Sequence, residues 1–237
     1  MSLKKKIFVL VLTALVAAFL LAELFLYDIL TIKKPPETAW RYDFKDKIPA
    51  SWVLKGKPGT KKAVFSVARD DSGGISFLRM KSDRASASLI TKIDGTDLAK
   101  TPILRWRWRV RELPKGADGR IKKKDDQAIG IYVGSGSTIS NKSISYRWDT
   151  ETPKGEEGAC TYGMGAVKVK WYTLRNKEDA VGASWFTEER NIAEDFKKAW
   201  GYYPKTIFLS ISCNSQYTGS VAEADMEWIE LTGPDKK

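Results

Sequence analysis

The chain has 237 residues, with 40 Lys and Arg against 29 Asp and Glu, and its 43% hydrophobic residues can form a full core. This length and composition allow one domain of about 200 residues, or two small ones, and exclude disorder as the main state. The chain has no His and only two Cys, which excludes Ser-His-Asp triads, Cys-His dyads, His-ligated metals and Cys-rich metal sites.

The N-terminal segment has the pattern of a membrane anchor. Lys4, Lys5 and Lys6 precede an apolar run that begins at Ile7 and, interrupted by Glu23, ends at Leu26. Residues 7–26 are long enough to span a membrane, and bulky residues at the −3 positions of both candidate cleavage sites favour an uncleaved anchor. Because lysines stay in the cytoplasm, we expect the remaining chain to lie outside it. Secretion after cleavage of a signal peptide is the alternative.

We divide the chain into an N-terminal signal or anchor helix with its linker, residues 1–34, and a single domain, residues 35–237. The first part carries a net charge of +3, which leaves +8 on the domain. A basic domain outside the cytoplasm suits anionic partners other than nucleic acid. However, Asp125 and Asp126 directly follow Lys122–Lys124, so the charges are mixed and an ordinary solubilising role is favoured.

Most of the domain shows the period-two alternation of β-strands. Weaker candidates lie at residues 63–68, 75–81 and 85–93, and stronger ones at 104–110, 128–134, 143–148, 166–171, 206–212 and 222–228. The strand at 104–110 places its apolar residues on one face: Leu104, Trp106, Trp108 and Val110. The other face carries an arginine row: Arg105, Arg107, Arg109 and Arg111. This row can hold a polyanion, although pairing with carboxylates of a neighbouring strand is the commoner outcome.

One helix is predicted after Thr187, which would cap it, with Glu188 and Glu189 in the first turn. Its apolar face comprises Ile192, Phe196, Ala199 and Trp200, and Gly201 ends it. Many short strands with one helix predict an all-β fold, an antiparallel β-sandwich. Cys213 is expected in its core and Cys160 in a Gly-rich loop. Outside the cytoplasm a disulfide is permitted, but free, buried thiols are favoured.

Five segments carry a resemblance to a known family. They are TPILRWRWRV (101–110), GADGRIKKKDDQAIGIYV (116–133), ISYRW (144–148), TLRNKEDAVGASWFTEERNIAEDFKKAWG (173–201) and ISCNSQYTGSVAEADMEWIEL (211–231). In this order they resemble the bacterial domain of unknown function 3047 family. That family typically has an Arg shortly after the paired Asp, where this chain has Ile129-Gly130-Ile131. The resemblance implies no established activity, but a jelly-roll-like sandwich related to carbohydrate-binding domains.

Two segments supply candidate ligand-binding residues. Asp125 and Asp126 have carboxylate oxygens of the kind that bind Ca²⁺. Because no spaced pattern of further oxygen ligands surrounds them, a structural role in a turn is favoured. Apart from Ca²⁺ as the alternative, no cofactor is expected. The second segment contains Trp185, Glu188, Arg190 and Asn191. Glu188 together with Asp125 or Asp225 could form the carboxylate pair of a glycosidase, although a structural role of this segment is favoured.

Aromatic residues outside the apolar strand faces are candidates for stacking on sugar rings: Trp40, Trp185, Tyr202, Tyr203 and Tyr217. We therefore interpret the chain as a single-pass protein of the bacterial cytoplasmic membrane with a periplasmic, non-catalytic sandwich that binds a glycan or another envelope component. A carboxylate-dependent glycan hydrolase or lyase is the first alternative. A structural protein-interaction module is the second.

Overall fold

The computed structural model describes residues 38–70, 74–136 and 140–234. The predicted membrane segment at residues 7–26 and the whole of residues 1–34 lie outside this part of the chain. None of the helices within the described residues is long and apolar enough to cross a membrane.

The described residues form thirteen strands and one α-helix. The strands are β1 (Thr38–Asp43), β2 (Val53–Gly56), β3 (Val64–Arg69), β4 (Ser76–Asp83), β5 (Ser86–Ile93), β6 (Ile103–Glu112), β7 (Ile129–Gly136), β8 (Asn141–Trp148), β9 (Glu157–Tyr162), β10 (Val167–Arg175), β11 (Phe186–Asn191), β12 (Ile207–Asn214) and β13 (Val221–Thr232). The helix is α1 (Ile192–Trp200), and 3₁₀ turns lie at Lys122–Lys124 and Gly163–Gly165.

The strands form two sheets that pack face to face. Sheet A has the order β11-β6-β13-β4-β3, and β1 pairs with β13 beyond the end of β4. Sheet B has the order β2-β5-β12-β7-β8-β10-β9. Within the described residues every pairing is antiparallel except that between β8 and β10. The prediction of a mainly-β sandwich with one helix is confirmed.

The core between the sheets is rich in aromatic residues. Trp106 of sheet A stacks on Tyr146 of sheet B with ring centroids 5.4 Å apart. One step along, the ring centroids of Trp108 and Trp148 lie 5.7 Å apart. All four side chains are fully buried, as the alternation in β6 predicts. Such rings bury 150–250 Å² each, so they dominate the hydrophobic stabilisation of the sandwich.

The helix begins later than the sequence predicts. Residues 187–191, expected to cap and start the helix, belong to β11, which pairs with β6. Asn191, rather than Thr187, is the N-cap, because its side chain accepts a hydrogen bond from the Glu194 amide at 3.1 Å. The helical apolar period starts only at Ile192, and before it the residues alternate as in a strand. Gly201 ends the helix with a left-handed φ of 84°, as predicted.

The two cysteines lie on opposite faces of sheet B and are both free thiols. Cys213 is fully buried in the core, as predicted. Cys160 lies in β9, in a segment whose glycines predict a loop. The segment forms a strand because β10 pairs with it through six consecutive residues.

Candidate functional site

The outer face of sheet B, which points away from sheet A, is built largely from small residues. Across β12, β7 and β8 the outward positions include Ser210, Ser212, Gly130, Gly134, Ser143 and Ser145. Serine hydroxyls on neighbouring strands lie about 5 Å apart. The four serines are at most 7% exposed, so the small residues form a closely packed layer with little contact to solvent.

Three aromatic rings of the outer face lie against glycines of the same strand or of the adjacent strand. A Cβ atom added to Gly134 would lie 2.1 Å from Cζ of Phe208, and one added to Gly158 would lie 2.2 Å from Cζ2 of Trp171. A Cβ atom on Gly130 would lie 3.0 Å from the Tyr132 ring. Any larger residue would push these rings away. Phe208 and Tyr132 are partly exposed, whereas Trp171 is buried.

A buried arginine lies on the outer face of sheet B near the end of β8. Arg147 of β8 is 0% exposed, and its Nη1 donates to Oδ1 of Asp125 at 2.9 Å. Its Nη2 lies 3.1 Å from the Tyr162 hydroxyl and 3.5 Å from the Cys160 sulfur. The guanidinium also lies 5.3 Å from the centroid of the Trp171 ring. Arg147 pairs with Gly130 across β7 and β8, so the guanidinium lies close to the position at which the resemblance leads one to expect an Arg.

Asp125 connects this arginine to the loop that precedes β7. Its Oδ1 also accepts a hydrogen bond from Nε2 of Gln127 at 2.8 Å, and its Oδ2 accepts one from the Tyr162 hydroxyl at 2.5 Å. Both carboxylate oxygens of Asp125 are thus occupied by protein donors, and the side chain is 3% exposed. The loop is held against the outer face by these bonds.

Asp126 has a different role from Asp125. Its Oδ1 accepts from Nδ2 of Asn214 at 3.1 Å, and its Oδ2 accepts from the amide and hydroxyl of Thr218 at 2.7 and 2.9 Å. These bonds fix the turn between β12 and β13. Across the described residues no group of three or more Cys, Asp or Glu side chains is arranged to hold a metal ion.

Burial shifts the pKa values of the groups around Arg147. It raises the pKa of Asp149 above its ordinary value, and it does the same for the Tyr162 and Tyr132 phenols. Burial opposes the charge of Arg147, but the surrounding acidic groups hold its pKa well above the ordinary value. Within the described residues Nε of Arg147, Oδ1 of Asp149 and Nε1 of Trp171 are buried without a hydrogen-bond partner. The cluster therefore retains hydrogen-bonding capacity that the protein leaves unused.

Glu188 and Arg190 lie in β11, the edge strand of sheet A. Oε1 of Glu188 accepts hydrogen bonds from Nε of Arg175 and, at 3.2 Å, from Nε1 of Trp108. Arg190 forms two hydrogen bonds of 2.8 Å with Asp195. These contacts join β11 of sheet A to β10 of sheet B and to α1, so they are structural.

The remaining candidates are also dispersed. Asn191 caps α1, and Trp185 lies on the outer side of sheet A, where the Arg109 guanidinium is 4.2 Å from its ring centroid. The structure therefore does not bring the six predicted ligand-binding residues together: Asp125, Asp126, Trp185, Glu188, Arg190 and Asn191.

The arginine row is paired with carboxylates of the adjacent strands. Arg105 bonds Glu189 at 2.6 Å, and Arg107 bonds Glu227 at 2.7 Å. Arg109 and Arg111 both bond Asp225, at 2.8 and 2.6 Å. The row thus has cross-strand partners and is not an open site for a polyanion.

Sequence reasoning did not select Tyr132 and Phe208, the partly exposed rings of the outer face of sheet B. The favoured aromatic candidates lie elsewhere: Trp40 packs near Trp52, with ring centroids 6.2 Å apart, and Tyr217 bonds Lys57 at 3.1 Å. The signal that could have found Tyr132 is the run of glycines at the outward positions of β7, which leaves room for a flat ring.

The two sheets thus define a two-sheet, jelly-roll-like β-sandwich. The family described as Protein of unknown function (DUF3047) matches residues 50–230, and the chain belongs to this family.

Several solved structures are similar to the chain. One is the family 30 carbohydrate-binding module of the cellulosomal cellulase Cel9D-Cel44B of Clostridium thermocellum, with 12% identity, a TM-score of 0.46, and coverage of 83% of this chain and 99% of that one. Another is a cellulase derived from Cel12A of Rhodothermus marinus, with 10% identity, a TM-score of 0.45, and coverage of 81% and 99%. No curated protein sequence matches the chain.

Proposed function

We propose that the chain binds a glycan on the outer face of sheet B without cleaving it. The observation that supports this function is the arrangement of Tyr132 and Phe208, whose rings lie flat beside glycines and are partly exposed. A flat ring offers its π-face to the C–H surface of a sugar, in the way that flat rings carry ligands in other stacking platforms. The periplasmic location predicted from the N-terminal segment would bring the face close to envelope glycans.

The surroundings of the two rings suit a polar ligand. Ser210 is the strand partner of Tyr132, and Ser212 pairs with both Gly130 and Ser88. Their hydroxyls can donate and accept hydrogen bonds, which matches the mixed character of sugar hydroxyls. Because both serines are only 7% exposed, the two rings would provide most of the contact with a ligand.

A cleavage activity has one observation in its favour. Asp149 and Asp125 lie around the same arginine, and burial raises the pKa of Asp149, as expected of a general acid. However, Asp125, Asp149 and Arg147 are at most 3% exposed, so a glycosidic bond has no access to these carboxylates in this structure. Binding is therefore the better-supported function, and hydrolysis or elimination is the second.

The first experiment is a glycan array with the full chain, followed by titration with the glycan that binds. Phe208→Ala and Tyr132→Ala should each weaken binding about tenfold, because a stacked ring contributes on the order of 1–3 kcal/mol. Gly134→Ala should weaken binding too, because its methyl group would displace the Phe208 ring. Gly56→Ala is the matched control, because its Cβ would meet only the flexible side chain of Lys62.

Melting curves of each variant separate loss of binding from loss of fold. Unchanged affinity in both ring variants, with intact folds, would contradict the proposed face. Release of reducing or unsaturated ends from the bound glycan, abolished by Asp149→Asn, would favour the enzyme instead.

A further inference from the structure

A second surface of the domain lies at the end of the sandwich where the chain enters it. Thr38, the first described residue, starts β1 and pairs with Thr232 at the end of β13. Thr232 also pairs with Ile103, the first residue of β6. Ile103 pairs on its other side with Asn191, the cap of α1. The starts of β1, β6 and α1 therefore lie at one end of the molecule. Because Trp106 stacks on Tyr146 and Trp108 lies beside Trp148, β6 and β8 run in the same direction. The start of β8 is consequently at this end as well.

Aromatic and basic side chains are grouped at this end. We call the group the aromatic–basic patch, and it comprises Trp200, Tyr202, Tyr203, Lys142, Lys168 and Lys205. Tyr202 and Tyr203 are 39% and 53% exposed, which is unusual for large rings in this fold. Nζ of Lys142 lies 5.5 Å from the Trp200 ring centroid and 5.2 Å from that of Tyr202.

The lysines of the patch carry unbalanced charge. Lys142 and Lys168 are neighbours in the β8–β10 register, and Lys205 follows Tyr203 in the loop that leads into β12. None of the three forms an ion pair with a carboxylate anywhere in the described part of the chain, unlike Lys198, which bonds Glu157 at 2.9 Å. The acid beside the patch, Glu194, accepts a hydrogen bond from the Tyr203 hydroxyl at 2.9 Å.

The chain that precedes Thr38 indicates what this surface faces. Residues 7–26 are the predicted membrane segment, and only the eleven residues 27–37 separate it from Thr38. Eleven residues span at most about 40 Å when fully extended. The end of the domain at which Thr38 lies is therefore held within that distance of the bilayer surface, if the segment spans. Tyr and Trp are enriched at the membrane interface, and lysines near it are attracted by negatively charged lipids.

We propose that the aromatic–basic patch binds the headgroups of anionic lipids, so that the domain rests with this end on the membrane to which it is tethered. The lysines would provide the attraction to lipid phosphates, and the exposed tyrosines would insert their rings among the headgroups. The patch shares no residue with the two rings proposed to bind a glycan, so the two proposals depend on different side chains.

The test uses the full chain in lipid nanodiscs and measures amide hydrogen exchange of residues 200–206. Exchange should be about fivefold slower in discs that contain phosphatidylglycerol than in discs of phosphatidylcholine alone, the effect expected from one lysine near a charged leaflet. Lys168→Glu combined with Lys205→Glu should remove the difference, and Tyr203→Ser should reduce it. Lys122→Glu with Lys123→Glu, two exposed lysines at the opposite end, should leave it unchanged.

Equal exchange in both kinds of disc would overturn the proposal. So would protection that survives the Lys168 and Lys205 reversals, or protection that soluble dextran sulfate gives equally well in neutral discs, which would identify the occupant as a polyanion other than lipid. None of these outcomes depends on glycan binding, so the proposed function is tested separately.

Discussion

Arg147 illustrates how a single charged side chain can organise an outer face. An arginine that is fully buried must be paired, because removing a charge from water costs several kcal/mol. Here Asp125 supplies the opposite charge, Tyr162 supplies a phenol oxygen, and the Trp171 ring lies beside the guanidinium. The three partners come from a loop and two different strands, so the arginine ties distant segments of the chain together.

Arg147→Met should therefore cost about 3–5 kcal/mol of unfolding free energy, because it leaves Asp125 as an uncompensated buried charge. Urea unfolding followed by tryptophan fluorescence provides the measurement. Lys61→Met is the control, because its ion pair with Asp83 is exposed to solvent and such pairs contribute little. Similar, small losses in both variants would mean that Arg147 is not paired as the structure shows.

At the scale of single elements, α1 depends on its cap. Asn191 accepts the Glu194 amide, and Glu194 and Asp195 place their charges in the first turn, where the helix dipole favours them. Asn191→Ala should reduce the unfolding free energy by about 0.5–2 kcal/mol. Thr187→Ala should change it by less than about 0.5 kcal/mol, because Thr187 is an exposed residue of β11. Thermal melts of the two variants show which residue caps the helix. A larger loss of stability in Thr187→Ala than in Asn191→Ala would mean that the helix begins at Thr187, as the sequence suggests.

The element boundaries show where local patterns suffice and where they fail. The alternation in β6, β7 and β12 identifies these strands and their buried faces, because one face of each contacts the core. β11 and β9 were missed, because Thr187 followed by two glutamates imitates a helix start and the glycines of β9 imitate a loop. In both cases pairing with another strand determines the structure. A short sequence window does not show which distant segment will pair with it.

The candidate site was harder to predict than the fold for a related reason. The sequence favours charged residues and aromatics that break the strand pattern, such as Asp126 and Trp185. The structure shows these to be occupied by other protein groups. Tyr132 and Phe208 alternate regularly with core residues, and only the register of β7 and β12 reveals the small residues beside them.

The contribution of the loop between β6 and β7 to the stability of the fold should decrease at acidic pH. Hydrogen bonds from Arg120 lower the pKa of Asp118 to about 2, from an ordinary value of 3.8. A carboxyl group whose folded-state pKa is depressed stabilises the fold above pH 4 and loses this contribution as the pH falls towards 2. Asp118→Asn should therefore be less stable than the wild type at pH 6, with a difference that shrinks between pH 4 and pH 2.

Arg120→Ala provides a second measurement of the same interaction, because it removes the donors that act on Asp118. It should give a difference with the same pH dependence when unfolding is followed by denaturant titration. A difference that stays constant from pH 6 to pH 2 in both variants would show that the pKa of Asp118 is not depressed in the folded protein.

At the scale of the whole molecule, the charge is distributed unevenly over the two sheets. On the outer side of sheet A the arginines of β6 form ion pairs with acids of β13 and β11, which offset much of their charge. Lys142, Lys168 and Lys205, which form no ion pair among the described residues, lie at the end where Thr38 enters, whereas Lys122 and Lys123 lie at the opposite end. Part of the excess of +8 over residues 35–237 therefore lies where a tethered domain would meet a negatively charged surface.

The location of the domain is the last prediction, and it depends on the orientation of the N-terminal segment. Lys4, Lys5 and Lys6 should hold the N-terminus in the cytoplasm, so alkaline phosphatase fused after Trp40 should be exported and active in a bacterial host. Replacing the three lysines by glutamate should lower this activity, because it removes the charge bias that orients the segment. A cytoplasmic reporter such as β-galactosidase, fused at the same residue, should be inactive in the wild-type context. An active cytoplasmic reporter with an inactive phosphatase would reverse the topology, and the aromatic–basic patch would then face the cytoplasmic leaflet.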